Sequence, residues 1–335
     1  MEWDCTFSSE ELIPLSQQVP SLLEHREHTT TTRPLRLLRM KPDICLGTAQ
    51  FGLDYGVTNS KGKVSEETVS HILSRAASCG IHWIDTAQAY GESEAVLGRA
   101  LPQRHTFRVI TKLNALSKEV FTSDDIASWE NSLKHSLERL RVKKLDALLV
   151  HSPADLRKLG SAYLQEWLLC LRSRGLVSRL GVSIYTAADL DGVCDELQDI
   201  VQMPLSLFDQ RLLQDGTVSR LRAKGTVLHA RSIYMQGLLL IPAEQWPSWI
   251  SDDMKKHQKA LERLSRERGH SLIDMAVGFA KEQTDFEAIV VGMCSEQELL
   301  DLHRVWIDES PWQEGEWRDW AMKDASSLDP RRWEH

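Results

Sequence analysis

The amino-acid sequence predicts a (β/α)8 barrel, in which eight parallel strands close into a cylinder and helices surround it. The first reason is that short apolar segments alternate with amphipathic ones from Asp43 almost to the end of the chain, as happens when helical crossovers join parallel strands. The second is that polar residues suited to acid–base chemistry close three of the apolar segments, where barrels carry their active sites. The third is that no Gly-x-Gly-x-x-Gly motif follows the first segment, which argues against a Rossmann domain.

Each predicted strand is a short apolar run, and each predicted helix repeats apolar residues at three- and four-residue spacing. The strands are 44–46, 81–85, 108–112, 145–151, 179–183, 200–207, 226–232 and 286–292. The helices are 65–80, 93–101, 123–141, 161–174, 187–197, 217–225, 252–268, 271–282 and 296–305. In the first helix, Ser65 is a typical N-cap and Gly80 a typical stop. Its apolar face consists of Val69, Ile72, Leu73 and Ala76.

Two further segments flank the barrel, which is expected to span residues 42–310. Residues 1–41 are predicted to form a partly ordered N-terminal extension, because four threonines shortly before Pro34 are typical of an exposed linker; a lid or an oligomerisation arm is the alternative. Residues 311–335 carry four tryptophans among charged residues, and we expect this tail to pack on the barrel. A substrate loop is the alternative for the tail, because C-terminal loops of barrels can reach the mouth.

Composition and charge argue against several classes of function. A formal net charge of −8 gives no support to a nucleic-acid or anionic-membrane partner, since such binding usually needs a basic patch. No run of about 18 apolar residues is present, and the acidic start of the chain lacks the basic-then-apolar order of a secretion signal. Six scattered cysteines without a Cys-x-x-Cys pair indicate reduced thiols in a cytoplasmic protein and no metal site. The oligomeric state is not predicted.

Four polar side chains stand at or just after the ends of neighbouring strands. Asp85, Lys112 and His151 close strands two, three and four, and Tyr90 follows the aspartate by five residues. Because parallel strands end at the same edge, we expect these groups to meet at one rim. A lone tyrosine or histidine near a loop is usually a structural hydrogen bonder, and a lone Lys–Asp pair is usually a plain ion pair. Four such groups at successive strand ends favour a catalytic site.

The chemistry of these groups is that of a general acid and its tuning partners. A phenol, with an ordinary pKa of about 10, is a poor acid at neutral pH unless a nearby cation favours its phenolate. Lys112 would supply that cation, and Asp85 would hold the ammonium charged and in place. His151 would orient a carbonyl oxygen that Tyr90 protonates, so the set suits an oxygen that gains negative charge.

The same residues make the sequence resemble the aldo-keto reductase family over residues 43–305. Residues 85–94, Asp-Thr-Ala-Gln-Ala-Tyr-Gly-Glu-Ser-Glu, match the family pattern Asp-Thr-Ala-x-x-Tyr-Gly-x-Ser-Glu. Further matches in family order lie at 46–52, 111–112, 149–152, 181–183 and 236–238. The resemblance implies that Tyr90 donates a proton to the oxygen of an aldehyde or ketone. It also implies that Lys112 and Asp85 tune this acid and that His151 orients the carbonyl.

The resemblance further implies a nicotinamide cofactor, usually NADPH, held by the loops at the carboxyl ends of the strands. From the nicotinamide to the adenosine end, the positions that match cofactor contacts are Gly47, Thr48, Asp85, Ser183, Gln202, Arg231, Ser232, Gln236, Gly237, Leu238, Gly292, Ser295, Gln297 and Glu298. Among them Arg231 replaces an aromatic ring that often stacks on the nicotinamide, and a planar guanidinium can stack in the same way.

The chain departs from the family pattern at the cofactor positions. Ile184 stands where many members have Asn, and Leu302 replaces a frequent Asn near the adenine. Residues 292–298, Gly-Met-Cys-Ser-Glu-Gln-Glu, contain no Arg or Lys to pair with a 2′-phosphate, which weakens discrimination for NADP over NAD. A cation from elsewhere in the chain can compensate, so we expect NADPH, with NADH as the alternative.

The sequence therefore predicts NAD(P)H-dependent reduction of a small aldehyde or ketone to an alcohol. Tyr55, Trp83, Gln88 and Arg231 near the predicted mouth suit a polar substrate, such as a sugar or a biosynthetic intermediate. The main alternative is a regulatory subunit that binds nicotinamide nucleotides with little turnover. A barrel isomerase or lyase with a Schiff base on Lys112 is a third interpretation, which the carboxylate and phenol so close by disfavour.

Overall fold

The computed structural model describes residues 41–323 and 325–333. Within them, eight parallel strands form a closed barrel in which each strand pairs with the next along the chain and the last pairs with the first. This arrangement confirms the predicted (β/α)8 fold. The predicted N-terminal extension lies outside the described residues except for its last position.

All eight predicted strands and most of the predicted helices are found, with small shifts at their ends, and a few short helices are additional. The strands are β1 (Asp43–Gly47), β2 (Trp83–Asp85), β3 (Arg108–Leu113), β4 (Leu145–Val150), β5 (Val177–Ser183), β6 (Ile200–Pro204), β7 (Val227–Arg231) and β8 (Ala288–Gly292). The helices are α1 (Ala49–Gly52), α2 (Glu66–Ser78), α3 (Ser93–Ala100), α4 (Asp125–Leu140), α5 (Ser161–Ser173), α6 (Arg211–Gln214), α7 (Thr217–Ala223), α8 (Asp252–Arg268), α9 (Leu272–Lys281), α10 (Glu296–Ile307) and α11 (Ala325–Leu328). None of the helices in the described ranges is long and apolar enough to cross a membrane.

Helix α2 shows how local chemistry sets the bounds of an element. The Ser65 side chain accepts a hydrogen bond from the Thr68 backbone N–H, which satisfies one of the free N–H groups of the first turn. Gly80, just beyond the helix, has a φ of 74°, a left-handed conformation in which glycine carries no side-chain penalty. The residues that this helix buries are the predicted ones, Val69, Ile72, Leu73 and Ala76.

The predicted helix over residues 187–197 is wrong, because the structure has only a short 3-10 turn at each end of this segment. Thr186 and Asp189 form a capping box that fixes the first turn. Gly192 then adopts a φ of 77°, which a right-handed helix does not accommodate. The apolar spacing of the segment is helical, but the cap and the glycine divide it.

Besides β7, which ends one residue early at Arg231, two strands end earlier than predicted. β4 ends at Val150, so His151 is the first residue beyond the strand. β6 ends at Pro204, because the chain then turns: the Ser206 N–H donates to the Asp209 carbonyl at 3.1 Å. Both changes lengthen the loops at the carboxyl end of the barrel.

The N-terminal end of the barrel is filled by an aromatic ring in contact with two cations. The guanidinium carbons of Arg108 and Arg179 each lie 4.9 Å from the centroid of the Trp83 indole, a cation–π arrangement. The buried His229 packs edge-on against the same indole, with ring centroids 5.4 Å apart. Its Nε2 lies 3.0 Å from a Glu287 carboxylate oxygen that also accepts a hydrogen bond from Arg179 at 3.0 Å.

The C-terminal tail contacts the barrel helices through its tryptophans. The Trp312 indole N–H donates to the Met275 carbonyl of α9 at 2.8 Å. The Trp317 indole N–H donates to the Glu282 carboxylate, just beyond the same helix, at 2.9 Å. Since indole N–H groups that leave water need an acceptor, these bonds fix where this part of the tail lies.

The carboxylate at the N-terminal end of the barrel provides a stability test. Burial raises the pKa of Glu287, but the His229 hydrogen bond and the Arg179 charge outweigh this effect and lower the pKa to about 2. We expect Glu287→Gln to lower the free energy of unfolding by about 1 kcal/mol at pH 7, because both partners lose a charged acceptor. A lowered carboxylate pKa stabilises the fold above the ordinary value of 4.5, and this contribution is lost as the pH falls towards 2.

Urea unfolding of both proteins at pH 7 and pH 3 measures this effect. Glu244→Gln is the matched control, since that exposed carboxylate pairs only with Lys259 in the described part of the chain. Equal stability of the Glu287→Gln and wild-type proteins at pH 7 would contradict the prediction.

Candidate active site

A buried ion pair lies at the base of the candidate site. The Lys112 ammonium on β3 lies 2.5 Å from Asp85 Oδ1 at the end of β2 and also donates to the Thr86 carbonyl at 2.9 Å. The second carboxylate oxygen accepts a hydrogen bond from the Gln202 amide at 2.7 Å. Burial lowers the pKa of Lys112, but the adjacent carboxylate outweighs this effect and raises the pKa overall. The lysine is therefore held as an ammonium ion.

Tyr90 and His151 lie directly above this pair. The Lys112 ammonium is 5.1 Å from the centroid of the Tyr90 ring, and the imidazole meets that ring edge-on at 6.0 Å between centroids. Burial and the charges of Lys112 and Arg231 lower the pKa of His151 to about 4. The four predicted groups thus meet at one rim, with the imidazole neutral at pH 7 and able to donate one hydrogen bond.

The turn that carries Tyr90 rests on buried polar contacts made by the last residues of its motif. Ser93 donates to the Thr48 carbonyl at 2.9 Å, which ties the turn to the loop after β1. Glu94 is buried and accepts a hydrogen bond from the Thr111 hydroxyl of β3 at 2.7 Å. These two residues therefore position the phenol, a role that the sequence motif alone does not reveal.

A cavity of about 520 Å³ opens beside these groups at the carboxyl ends of the strands. This volume is typical of small-molecule sites, which span about 300–1,000 Å³. The predicted site residues on its wall are Gly47, Thr48, Asp85, Tyr90, His151, Arg231, Ser232, Gln236, Gly237, Gly292 and Glu298. Gly47 of β1 and Gly292 of β8 are register partners, so the cavity straddles the seam at which the barrel closes.

The other predicted site residues do not line this wall. They are Lys112, Ser183, Gln202, Leu238, Ser295 and Gln297. The lysine and Gln202 are buried behind Asp85, and Ser183 is the register partner of that glutamine on the next strand. Ser295 caps α10 by accepting the Glu298 backbone N–H. The leucine side chain is fully buried in the core, and Gln297 donates to Asp301 on the same helix.

Two residues expected near the mouth lie elsewhere. Trp83 points into the barrel and contacts the arginines at its N-terminal end, because the residue two positions before Asp85 on a strand faces the same side but lies deeper in the barrel. Gln88 donates to the Ser136 hydroxyl of α4 at 2.9 Å and does not line the cavity. Trp83 and Gln88 therefore do not support the expectation of a polar substrate.

Several wall residues are absent from the set predicted by sequence. Among them are four with ionisable side chains, Lys61, Tyr185, Tyr234 and Asp301. Tyr185 follows β5 by two residues. It could have been found by searching for polar residues just after the end of strand five, as for strands two to four. The Tyr234 hydroxyl is buried without a hydrogen-bond partner, and burial raises the pKa of this phenol. No sequence signal reveals such an unpaired group.

The backbone after β7 is unusual where it lines the cavity. Ser232, Met235 and Gln236 have φ values of 65°, 48° and 56°, in the left-handed region that non-glycine residues rarely adopt. Gly237 has a φ of 97°, and a Cβ there would lie 1.8 Å from Thr58 Oγ1, so this loop touches the loop between β1 and α2. Strain of this kind concentrates in ligand-binding segments.

A buried Lys–Asp pair beneath a phenol and an imidazole, at the mouth of a closed barrel, defines a candidate acid–base site. The sequence model of the Aldo/keto reductase family matches residues 43–320. The chain therefore belongs to the aldo/keto reductase family, which confirms the predicted resemblance. Members of this family use nicotinamide cofactors.

Individual relatives differ in how much of their length is matched. An aldo-keto reductase from Mycobacterium avium (strain 104) is 39% identical over 142 residues, covering 40% of this chain and 46% of the relative. The D-arabinose 1-dehydrogenase of Saccharomyces cerevisiae is 26% identical over 247 residues, covering 68% of this chain and 73% of the relative. The chain spans about half the length of the first curated relatives that it matches.

Two solved structures share the fold. The glycerol dehydrogenase from Gluconobacter oxydans is 24% identical, with a TM-score of 0.61 over 82% of this chain and 89% of that chain. The holo form of an aldo-keto reductase from Bacillus halodurans is 18% identical, with a TM-score of 0.64 over 82% of this chain and 90% of that chain. At these identities the similarity concerns the fold alone.

The lowered pKa of His151 predicts a pH-dependent stability difference. Between pH 7 and pH 5 the unfolded histidine, with an ordinary pKa of 6.5, takes up a proton, whereas the folded one, at about 4, stays neutral. Wild-type stability should therefore fall relative to that of His151→Asn over this range, by on the order of 1 kcal/mol. Thermal unfolding of both proteins at the two pH values measures the difference.

The other histidines titrate in both proteins, so their contribution to the pH dependence of stability cancels in the comparison. A stability difference that is the same at pH 7 and pH 5 would show that the folded imidazole titrates near its ordinary value.

Proposed function

We propose that this chain is an NAD(P)H-dependent reductase of small aldehydes or ketones. The observation that carries the proposal is the buried Lys112–Asp85 pair directly beneath the Tyr90 ring. That ring lines a cavity of suitable size. An ion pair taken out of water is costly and would be an expensive way to stabilise a strand end. Beneath a phenol, it provides a fixed positive charge at the point where a proton must be given up.

Each residue of the rim then has a defined role. Tyr90 donates its proton to the carbonyl oxygen as negative charge develops there. The Lys112 ammonium stabilises the phenolate that remains, and Asp85 keeps the lysine charged and in register. His151, neutral at pH 7, donates a hydrogen bond to the same oxygen and so fixes the orientation of the carbonyl.

The residues around the cavity fit a nicotinamide dinucleotide. The unpaired Tyr234 hydroxyl and the left-handed loop at 232–237 border the same cavity. When bound, the nicotinamide supplies the hydride that the carbonyl carbon accepts.

We propose NADPH as the preferred cofactor, because Lys61 supplies the cation that residues 292–298 lack. This lysine lines the cavity, and its charge acts on Cys294: burial raises the pKa of that thiol to about 11, and Lys61 opposes the rise. Glu298 would repel a phosphate, but one of its carboxylate oxygens accepts the Cys294 backbone N–H at 2.7 Å, which disperses part of its charge.

Two other functions are less consistent with these contacts. A Schiff base on Lys112 needs a neutral amine, whereas this lysine is paired with Asp85, is 1% exposed and does not line the cavity. A regulatory subunit with little turnover requires no proton donor. In this chain Tyr90 and its three partners are all present, so nothing in the site explains a loss of activity. Measurement of turnover separates it from the reductase.

Tyr90→Phe tests the role of the phenol. We expect kcat for aldehyde reduction to fall by at least about 100-fold, because the proton donor is lost, while the Kd for NADPH changes less than about threefold. Steady-state kinetics with an aldehyde and ketone panel, together with tryptophan-fluorescence titration, measure both quantities. Tyr163→Phe on the outer face of α5 is the matched control.

Equal loss of reduction and of nucleotide binding in Tyr90→Phe would show that the phenol maintains the structure of the site and is not the proton donor. Saturable nucleotide binding by the wild-type protein without turnover of any carbonyl would favour the regulatory function. Absence of nucleotide binding would remove the reductase proposal altogether.

Lys61→Gln tests the cofactor preference. We expect the Kd for NADPH to rise about tenfold, the loss of one charge-assisted contact, and the Kd for NADH to change less than about twofold. Fluorescence titration with each nucleotide measures the two values. Lys63→Gln is the control, because that lysine pairs with Glu92 away from the cavity. Tighter wild-type binding of NADH than of NADPH would show the preference to be wrong.

A further inference from the structure

Arg231 carries a positive charge on the cavity wall that no carboxylate of the described residues balances. Its guanidinium donates to the Ile184 carbonyl at 3.1 Å and to the Ser232 hydroxyl at 3.3 Å. One face stacks on Tyr185, with 4.1 Å from the guanidinium carbon to the ring centroid. These contacts use two of the five N–H donors of the group and leave the others for a ligand.

The charges of the acid–base pair at the base of the rim compensate each other. Lys112 is paired with Asp85, so the base of the site is close to neutral. The positive charge of Arg231 reaches the acid–base groups, since together with burial and the charge of Lys112 it lowers the pKa of His151. The rim therefore has a net positive potential that a substrate can use.

The tail holds this arginine in place through one aromatic ring. Tyr185, which stacks on Arg231, also lies 4.0 Å from the guanidinium carbon of Arg331, measured to the ring centroid. The guanidinium of Arg331 in turn donates hydrogen bonds to both carboxylate oxygens of the buried Asp329, at 3.0, 3.1 and 2.6 Å. The second arginine is thus neutralised and serves as a support, while the first stays uncompensated. A guanidinium fixed in this way loses less conformational entropy when it binds a ligand.

We propose that Arg231 is a substrate-recognition residue and that the natural substrate is an aldehyde or ketone bearing an anionic group, a carboxylate or a phosphate. The inference rests on the proposed reductase function and narrows its substrate class. A planar guanidinium offers paired N–H donors that match the two oxygens of either anion. Its position on the same wall as Tyr90 and His151 lets it hold the anion while the carbonyl meets the phenol.

Matched substrates test the proposal. In one pair 4-carboxybenzaldehyde is compared with 4-methylbenzaldehyde, and in the other glyceraldehyde 3-phosphate is compared with glyceraldehyde. We expect wild-type kcat/KM to favour the anionic member of at least one pair by about 10- to 100-fold, the effect of charge-assisted hydrogen bonds. The pair with the larger ratio identifies carboxylate or phosphate as the anion.

Substitution of Arg231 separates substrate recognition from cofactor binding. Arg231→Gln should abolish the preference for the anionic member, because the guanidinium that pairs with the anion is lost. A weaker contact with the nicotinamide would lower kcat/KM for both members alike, so the ratio of the two values at saturating NADPH reports on substrate recognition alone. Arg231→Lys should restore part of the preference, because an ammonium keeps the charge but lacks the planar fork. An unchanged ratio of the two kcat/KM values in Arg231→Gln would overturn the inference, whatever the change in NADPH affinity.

A binding measurement tests whether Arg231 binds an anion even if the protein reduces no carbonyl compound. Calorimetric titration of the nucleotide-saturated protein with benzoate, benzamide and inorganic phosphate compares anions with a neutral analogue. Binding of benzoate or phosphate that is lost in Arg231→Gln supports the inference, even if no carbonyl is reduced and the reductase proposal fails. Reduction of neutral aldehydes only, with no anion binding, would leave the reductase in place and overturn the inference.

The support from the tail has its own test. Arg331→Gln should raise KM for the anionic substrate several-fold with little change in kcat, and leave the neutral substrate unaffected. Arg332→Gln removes the same charge one position on, from an exposed side chain, and should change neither value. Tyr185→Phe keeps a ring for stacking and should retain the preference that Tyr185→Leu loses. Equal effects of the two arginine substitutions would assign the tail a purely structural role.

Discussion

The buried contact between Lys112 and Asp85 is the constraint on which the rest of the site depends. Both side chains are withdrawn from water, at 1% and 3% exposure, so each charge relies on the other and on its hydrogen bonds. Loss of either partner would leave an uncompensated charge in the barrel. The pairing also fixes β2 against β3 and sets the surface on which Tyr90 rests. A reactive rim of this kind therefore depends on a rigid sheet beneath it.

Charge at this rim is distributed unevenly. The ion pair at its base is close to neutral, His151 is uncharged at pH 7, and the guanidinium of Arg231 is left without a carboxylate partner among the described residues. Chemistry that creates negative charge on an oxygen is favoured in such a field. The tail takes part in the arrangement from a distant point of the sequence, through Arg331 and the ring of Tyr185. The proposed catalysis and the proposed substrate recognition thus depend on the same distribution of charge.

The order of the strands and the rim residues could be predicted from the sequence, because their signals are local. An apolar run that ends in Asp85 or Lys112 indicates a buried strand and also marks its carboxyl end. Other features depend on contacts between distant segments. The segment 187–197 has helical spacing, yet a capping box and a left-handed Gly192 divide it. Trp83 was expected at the mouth, but its depth in the barrel is set by the sheet as a whole. The stack of Arg331 on Tyr185 has no counterpart in any short motif.

The position of the cavity has a further consequence for folding. Its wall includes Gly47 and Gly292, the paired residues that join the first strand to the last. Contacts between such distant parts of the chain carry the largest loop-closure entropy and form slowly. A molecule bound in the cavity touches both sides of this seam and binds only after it has closed. By linkage, occupancy of the site stabilises the closed barrel relative to forms in which this seam has opened.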